Sequence, residues 1–412
     1  MQESLATRIR PLEAGRDGAA MVDLRGRAFG PAAGAEPASW LEENGPALRD
    51  RRFVGLFDGP RLVGMARYHD MLQYWHGRAV PMAGVSSVAV APEDRGRGVG
   101  RELMTWLLDA IAARGYPLSV LFPSTMPLYR SLGWEVAGTS YEAVFPAHAL
   151  RPLAVPSGPG PDGAGFLRRA GPEDAGLLRE VMAGAHAAAR DCGPSLRDET
   201  SLRYVLSQPQ NYFYLAGDGA LAYTWRHGHD ELFVYTAVAA SEQATRALWA
   251  VVASNCWMAD SVRARVGPAD PVWWLTPDPV ADLVDHDDWM LRVVDPAAAI
   301  AARGFPPAAD LAVPLQLTDP ARPGNSGLWL LKIGGGSGSL TQLAAHGVGS
   351  QTAPDGDGPA ALALGARGLA ALYAGTPVAT LRRTGLAAGG SSVGDALLDG
   401  AFSAAPYTPD RF

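Results

Sequence analysis

The sequence predicts an α+β chain of three units, and three observations carry that prediction. The 412 residues exceed what one core ordinarily supports, since chains beyond about 250–300 residues divide into domains. A β-branched run, a glycine-rich turn and an amphipathic helix follow one another at 88–111, the order of a fold that layers helix on sheet. Elements of the first third then recur after a period of roughly 160 residues, the mark of a weak internal repeat.

In chain order, Ile9–Phe29 reads as a strand, a loop and an amphipathic helix around Ala19–Arg27. Arg52–Tyr68 reads as two strands around Asp58-Gly59, a hairpin signal. After the glycine-rich turn, Val99, Leu103, Leu107 and Ile111 share one helix face, and Gly115 with Pro117 behind it stops that helix. The repeat begins at Phe166–Pro172, which leads into a helix at Ala175–Ala189, and Tyr212–Arg226 again flanks an Asp-Gly pair. Residues 1–150 and 166–284 are therefore two related domains, joined by the Pro- and Gly-rich linker Pro152–Gly165.

The third unit is expected at 289–412. Trp289–Val294 is strand-like, and Pro296–Arg303 is a short helix closing at Gly304. Leu328–Ile333 is an apolar strand and Gly334–Ser339 its turn; Leu369–Tyr373, Val378–Leu381 and Ala396–Phe402 add short elements. Asp285–Asp288 is then a solvated boundary.

Composition removes several classes of function. No run of about 18 apolar residues is present, so no membrane partner is expected. Two cysteines, Cys192 and Cys256, give neither a disulfide framework nor a cysteine metal cage, and a cytoplasmic protein is the expectation. A net charge of −7 argues against a nucleic-acid partner. Lys332 is the sole lysine, so the Gly-Lys pair of a phosphate-binding NTPase loop is absent.

The informative stretch runs from Val88 through Ala91-Pro92-Glu93-Asp94-Arg95-Gly96-Arg97-Gly98-Val99-Gly100-Arg101. A strand, a glycine loop and a helix start present unpaired N–H groups and a positive dipole end to an anion. Arg95, Arg97 and Arg101 add charge, which makes a pyrophosphate cradle. The dinucleotide fingerprint fails on spacing, because the sixth position counted from Gly96 is Arg101. The pattern Arg95-x-x-Gly98-x-Gly100 instead resembles the coenzyme A loop of the GNAT acetyltransferase superfamily. Tyr129-Arg130-Ser131-Leu132-Gly133-Trp134 resembles that superfamily's second motif, Tyr-x-x-x-Gly-aromatic.

One such domain, a second without the loop and a third unit ending in Phe412 look like the enhanced intracellular survival (Eis) family. Trp289–Phe305 is similar to the start of that family's third domain. The resemblance implies tandem GNAT-like domains followed by a sterol-carrier-protein-like α/β domain. It implies acetyl-CoA as co-substrate, no metal, and a primary amine acceptor, either a polycationic small molecule such as an aminoglycoside or a protein lysine. It further implies a homohexamer, a dimer of trimers.

Residue by residue, the resemblance gives Val88, Ala89 and Val90 the pantetheine arm and thioester carbonyl. It gives Arg95, Gly96, Arg97, Gly98, Val99, Gly100 and Arg101 the pyrophosphate, and Ser124 and Thr125 the cofactor further along. Tyr129 becomes the acid for the leaving thiolate, the terminal carboxylate of Phe412 the base, and Phe29 and Trp40 the acceptor lining. A binding protein with a relic first domain is the rival reading; its discriminating signal, a degenerate loop, is missing.

Other clusters read as structure. His227, His229 and Asp230 fit a solvated turn better than a metal shell. Gly334–Gly338 fits a hairpin turn better than a nucleophile elbow. Trp249, Trp257, Trp273 and Trp274 are expected in a core or an interface.

Overall fold

A computed structural model describes residues 8–30, 37–154, 166–276, 281–343 and 360–412. Most of the expected linker, 155–165, lies outside them. The first unit opens with β1 (Ile9–Pro11), α1 (Ala14–Phe29), α2 (Pro37–Glu43) and α3 (Gly45–Arg49). An antiparallel meander follows: β2 (Phe53–Asp58), β3 (Arg61–Trp75) and β4 (Arg78–Val90). α4 (Val99–Ala113) buries Val99, Leu103, Leu107 and Ile111, the face its spacing predicts. β5 (Leu118–Leu121), α5 (Met126–Arg130) and β6 (Glu135–Pro146) continue the unit.

The second unit repeats the plan with β7 (Leu167–Ala170), α6 (Ala175–Ala189), β8 (Ser195–Arg197) and α7 (Glu199–Ser207). β9 (Tyr212–Ala216) and β10 (Gly219–Arg226) form the second Asp-Gly hairpin. β11 (Glu231–Ala239), α8 (Glu242–Ser254), β12 (Ser261–Val266) and β13 (Leu283–Val293) complete it.

Both units share one sheet of order β1-β2-β3-β4-β5-β13-β6-β12-β11-β10-β9-β7, with β8 attached to β3. This corrects the reading of Trp289–Val294 as the opening of the third unit. Trp289, Met290, Leu291 and Val293 are buried, and β13 lies between β5 and β6, antiparallel to both. A strand covered on both faces reads as a continuous apolar run, whichever unit it belongs to. Asp285–Asp288 is likewise no boundary loop but the solvent-facing first half of the same strand.

The third unit starts at α9 (Pro296–Ala302) and adds β14 (Leu311–Thr318), β15 (Gly327–Gly334), β16 (Ser337–Gln342), β17 (Leu362–Gly365) and β18 (Ala387–Gly389). Their order is β16-β15-β14-β17-β18, and Leu311, Val313, Leu315 and Leu317 alternate inward along β14. Arg303 docks this unit on the large sheet. Its guanidinium is buried 4.6 to 5.2 Å from the rings of Tyr373, Phe402, Phe305 and Trp75 of β3.

The chain then returns to the sheet. Thr139 N–H donates to Pro406 O at 3.3 Å, Thr408 N–H to Thr139 O at 3.2 Å and Tyr407 N–H to Cys192 O at 3.1 Å. The tail is thus laid between the two repeated units.

Candidate active site

The site forms where two parallel strands part. β4 pairs with β5 only over Met82–Val85 against Leu118–Leu121. Beyond Val85 the strand carries a bulge: Arg67 faces Ser86 and Met65 faces Ala89, so Ser87 and Val88 together oppose Ala66. Ser87 sits at φ 54°, a left-handed conformation uncommon outside glycine. A bulge twists its strand away from a neighbour, and here it leaves the outer edge of Val88–Val90 without a strand partner among the described residues.

The glycine loop follows at once. Gly96 and Gly98 take φ 78° and 83°, which a side chain would strain. Gly98 is the N-cap of α4 and no side chain caps it, so the first-turn N–H groups are free for an anion. Arg95 and Arg101 are exposed and lack a carboxylate partner among the described residues. Arg97 differs from them: it turns back onto Asp94, which Arg61 also holds at 2.6 Å. Ser124 and Thr125 are exposed between β5 and α5.

Tyr129 and Phe412 lie on opposite faces of the sheet at this gap. Tyr129 packs with Leu103, Leu107 and Trp134 on the α4 side, and burial pushes its phenol up to about 12. The ring of Phe412 lies on the other face, 5.6 Å from His69 and 5.7 Å from Phe122. It rests on Gly84 so closely that a Cβ there would come within 2.7 Å of the ring. Asp410, two residues earlier, is a clip: its carboxylate accepts from Ser195 N–H and Oγ–H, each at 3.1 Å.

A polar chain lines the Phe412 face. Arg67 donates to Asn44 Oδ1 and, at 3.2 Å, to His69 Nδ1, while His69 Nε2 lies 2.8 Å from Ser86 Oγ. A guanidinium can only donate, so Nδ1 accepts and the ring proton sits on Nε2, directed at Ser86. Burial first, then the Arg67, Arg197 and Arg52 charges, hold His69 neutral. Burial also lowers Arg67 to about 10.

The two residues expected to line the acceptor, Phe29 and Trp40, lie on α1 and α2. Trp40 sets its ring against Phe53 at 6.0 Å and under Arg25 at 5.4 Å, and Phe29 ends α1 with 52% of its surface exposed. Of the tryptophans, Trp249 is core and Trp273 packs on Phe145, whereas Trp257 and Trp274 are 71% and 72% exposed. Among the described residues no histidine, cysteine or carboxylate cluster could hold a metal, and no helix is long and apolar enough to cross a membrane.

Comparison with known proteins decides the family. Residues 8–137 and 178–293 each match an acetyltransferase (GNAT) domain model, and 296–409 match a sterol carrier protein domain model. A GCN5-related N-acetyltransferase from Kribbella flavida, of known crystal structure, is 41% identical over 98% of both chains with a TM-score of 0.88. The chain belongs to the GCN5-related N-acetyltransferase family. An uncharacterized N-acetyltransferase of Streptomyces coelicolor is 30% identical over 85% of each chain. The N-acetyltransferase Eis of Mycobacterium tuberculosis is 40% identical, but over 89 residues, 21% of this chain and 22% of that one.

This GNAT protein is therefore an acetyltransferase, and its GNAT domain implies acetyl-CoA as co-substrate. The uncapped helix start and the unpaired strand edge fit the anionic and amide-rich parts of that molecule. Sequence reasoning missed Arg67, His69, Gly84 and the bulge at Ser87. The Ser86-Ser87 pair inside an otherwise apolar strand was the available signal for the bulge, and nothing local marks the other three.

Proposed function

We propose that this enzyme transfers acetyl directly from acetyl-CoA to a primary amine. The supporting observation is the placement of Tyr129 and Phe412 on opposite faces of the sheet where β4 and β5 part. An amine entering on the Phe412 face adds to the thioester carbonyl, and the tetrahedral intermediate expels sulfur toward the Tyr129 face as the carbonyl reforms. Backbone groups of Val88, Ala89 and Val90 align the pantetheine arm and polarise the thioester carbonyl. The 95–101 loop holds pyrophosphate, with Arg95 and Arg101 supplying the unengaged charge, and Ser124 and Thr125 touch the cofactor further along.

The carboxylate of Phe412 takes the proton lost by the attacking nitrogen. Tyr129 donates its phenolic hydrogen to sulfur as the carbon–sulfur bond breaks. A phenol near 12 stays protonated for that task, and desolvation raises the thiol in the same direction.

The test separates position from charge. One glycine added after Phe412 moves the carboxylate and keeps every side chain. Turnover should fall by roughly 10²-fold, the scale of a positioned base, while Asp410→Asn, which loosens only a clip, keeps most activity. Wild-type turnover in the extended protein sinks the assignment.

The 89-residue likeness supports placing the chain beside the Eis family, and with it a hexamer. Exposed Trp257, Met258 and Trp274 would be the surface buried on assembly. A sedimentation mass of one chain at micromolar concentration would exclude the hexamer. Arg67 and Arg197 stand on the acceptor face beside the carboxylates of Glu43, Asp198 and Phe412, so its charge is mixed and a substrate panel has to choose between a polycationic small molecule and a protein lysine.

A further inference from the structure

Beneath the tail residues Pro409–Arg411 lies a cavity of about 290 Å³ in the second unit, the size of a small-ligand pocket. Met182, Leu202, Val205, Phe213 and Ala222 give it an apolar body. A bulge shapes the opposite wall. Ala222 faces Thr236 while Tyr223 faces Val234, so Tyr235 is the extra residue and both Tyr235 and Thr236 reach the cavity. Thr236 is 7% exposed, and its Oγ1 has no hydrogen-bond partner among the described residues. Buried hydroxyls are normally bonded, so this one calls for a polar atom from outside the chain.

The charges of the wall are unevenly matched. Arg265 is paired with Glu142 at 3.2 Å, Arg411 with Asp287, and Asp410 is held by Ser195. Arg197 alone donates only to a backbone oxygen, that of Arg411 at 2.8 Å, and has no carboxylate within reach among the described residues. Arg197 also stands opposite Met71 on β3, on the sheet face that carries His69 and the Phe412 ring. Cavity and acceptor face thus meet at Arg197, and the tail passes from the cavity wall at Arg411 to the acceptor face at Phe412.

From this geometry we infer that the acceptor is an amine with an apolar arm ending in a carboxylate, and that the arm lies in this cavity with its carboxylate on Arg197. The inference rests on the amine-acetylation reading above. Guanidinium binds carboxylate through parallel N–H groups, and the apolar walls desolvate the chain between the two ends. A polycation would instead meet Arg197 and Arg265 across the cavity, where Asp410, held by Ser195, is the wall's carboxylate.

Two measurements on the full chain test this. In calorimetry, octanoate should bind and octylamine should bind at least about tenfold more weakly, a difference of one decade in Kd. In acetyl-CoA turnover, 8-aminooctanoate should exceed both octylamine and spermine in kcat/KM by at least about tenfold. Ala222→Phe fills the cavity; it should abolish octanoate binding and raise KM for 8-aminooctanoate with kcat retained. Arg197→Gln, at a half-buried position that tolerates the change, should erase the preference for the carboxylate if Ala222→Phe fails to fold.

Equal binding of octylamine, or spermine as the best acceptor, overturns the proposal. So does octanoate binding that Ala222→Phe removes without moving the acceptor KM, since the cavity then serves another ligand. Failure of the chemistry shows separately: turnover indifferent to Tyr129→Phe and to the added glycine rejects the acetyl-transfer roles, while octanoate binding still reports on the cavity.

Discussion

The two repeated units have the same parting of strands and opposite fates. β4 and β5 run parallel over Met82–Val85, and a bulge follows at Ser87; β11 and β12 run parallel over Glu231–Val234, and a bulge follows at Tyr235. The difference lies in the next few residues. α4 begins at uncapped Gly98, whereas α8 begins at Ser241, whose Oγ accepts from Ala244 N–H at 3.3 Å and donates to Asp218 at 2.8 Å. Glu242 then adds negative charge to the first turn. The cavity beyond β11, about 210 Å³, is lined by Asp191, Asp270 and Tyr407 of the tail, the wrong polarity for pyrophosphate. A duplicated fold keeps its strands, while the turn into the following helix differs between the copies, uncapped at Gly98 and capped at Ser241.

The largest expected effect breaks the first unit's side of this contrast. Gly98→Glu places bulk, strain and charge at the helix start, and calorimetry should find no acetyl-CoA binding. Normal binding would mean that the cradle lies elsewhere. Tyr129→Phe should leave acetyl-CoA affinity intact and lower kcat by about 10²-fold. Because that phenol stays protonated, kcat should show no alkaline fall below pH about 10, and such a fall would assign proton donation to another group.

Smaller effects probe the second unit. Ser241→Ala removes a cap and should cost about 1 kcal/mol in chemical denaturation with turnover unchanged. A change in acetyl-CoA affinity would show that the second helix start still serves a ligand. The smallest effect concerns Asp270, which burial raises from 3.8 to about 7. The unfolded chain releases this proton first as pH rises, so stability is lost between those values and the loss is complete above pH 7. Asp270→Asn should therefore raise Tm at pH 8 and match wild type near pH 3.8, by a modest margin because the side chain is partly solvated. An unchanged difference between the two pH values would remove burial as the cause.

Local signals made much of the architecture legible. Hairpins at Asp58-Gly59 and Asp218-Gly219, the α4 face and the glycine loop follow from periodicity and turn chemistry within a few residues. What escaped is non-local. Trp289–Val293 has the composition of any buried strand, and its partners Leu118–Leu121 and Glu135–Gly138 lie more than a hundred residues earlier. Likewise, nothing beside Gly84 announces that the ring of Phe412 will rest on it. Arg67 reads as one more arginine on an alternating strand until His69 and Asn44 surround it.

The insertion of β13 bears on how the catalytic half comes into being. During synthesis β5 and β6 emerge long before Leu283–Val293, and without that strand each leaves an open edge. The first unit is therefore expected to wait, partly assembled, for a distant segment, and closing such a long loop slows folding. Truncation after residue 150 should yield an aggregation-prone species rather than a minimal enzyme, while a separately supplied β13 peptide should rescue its solubility.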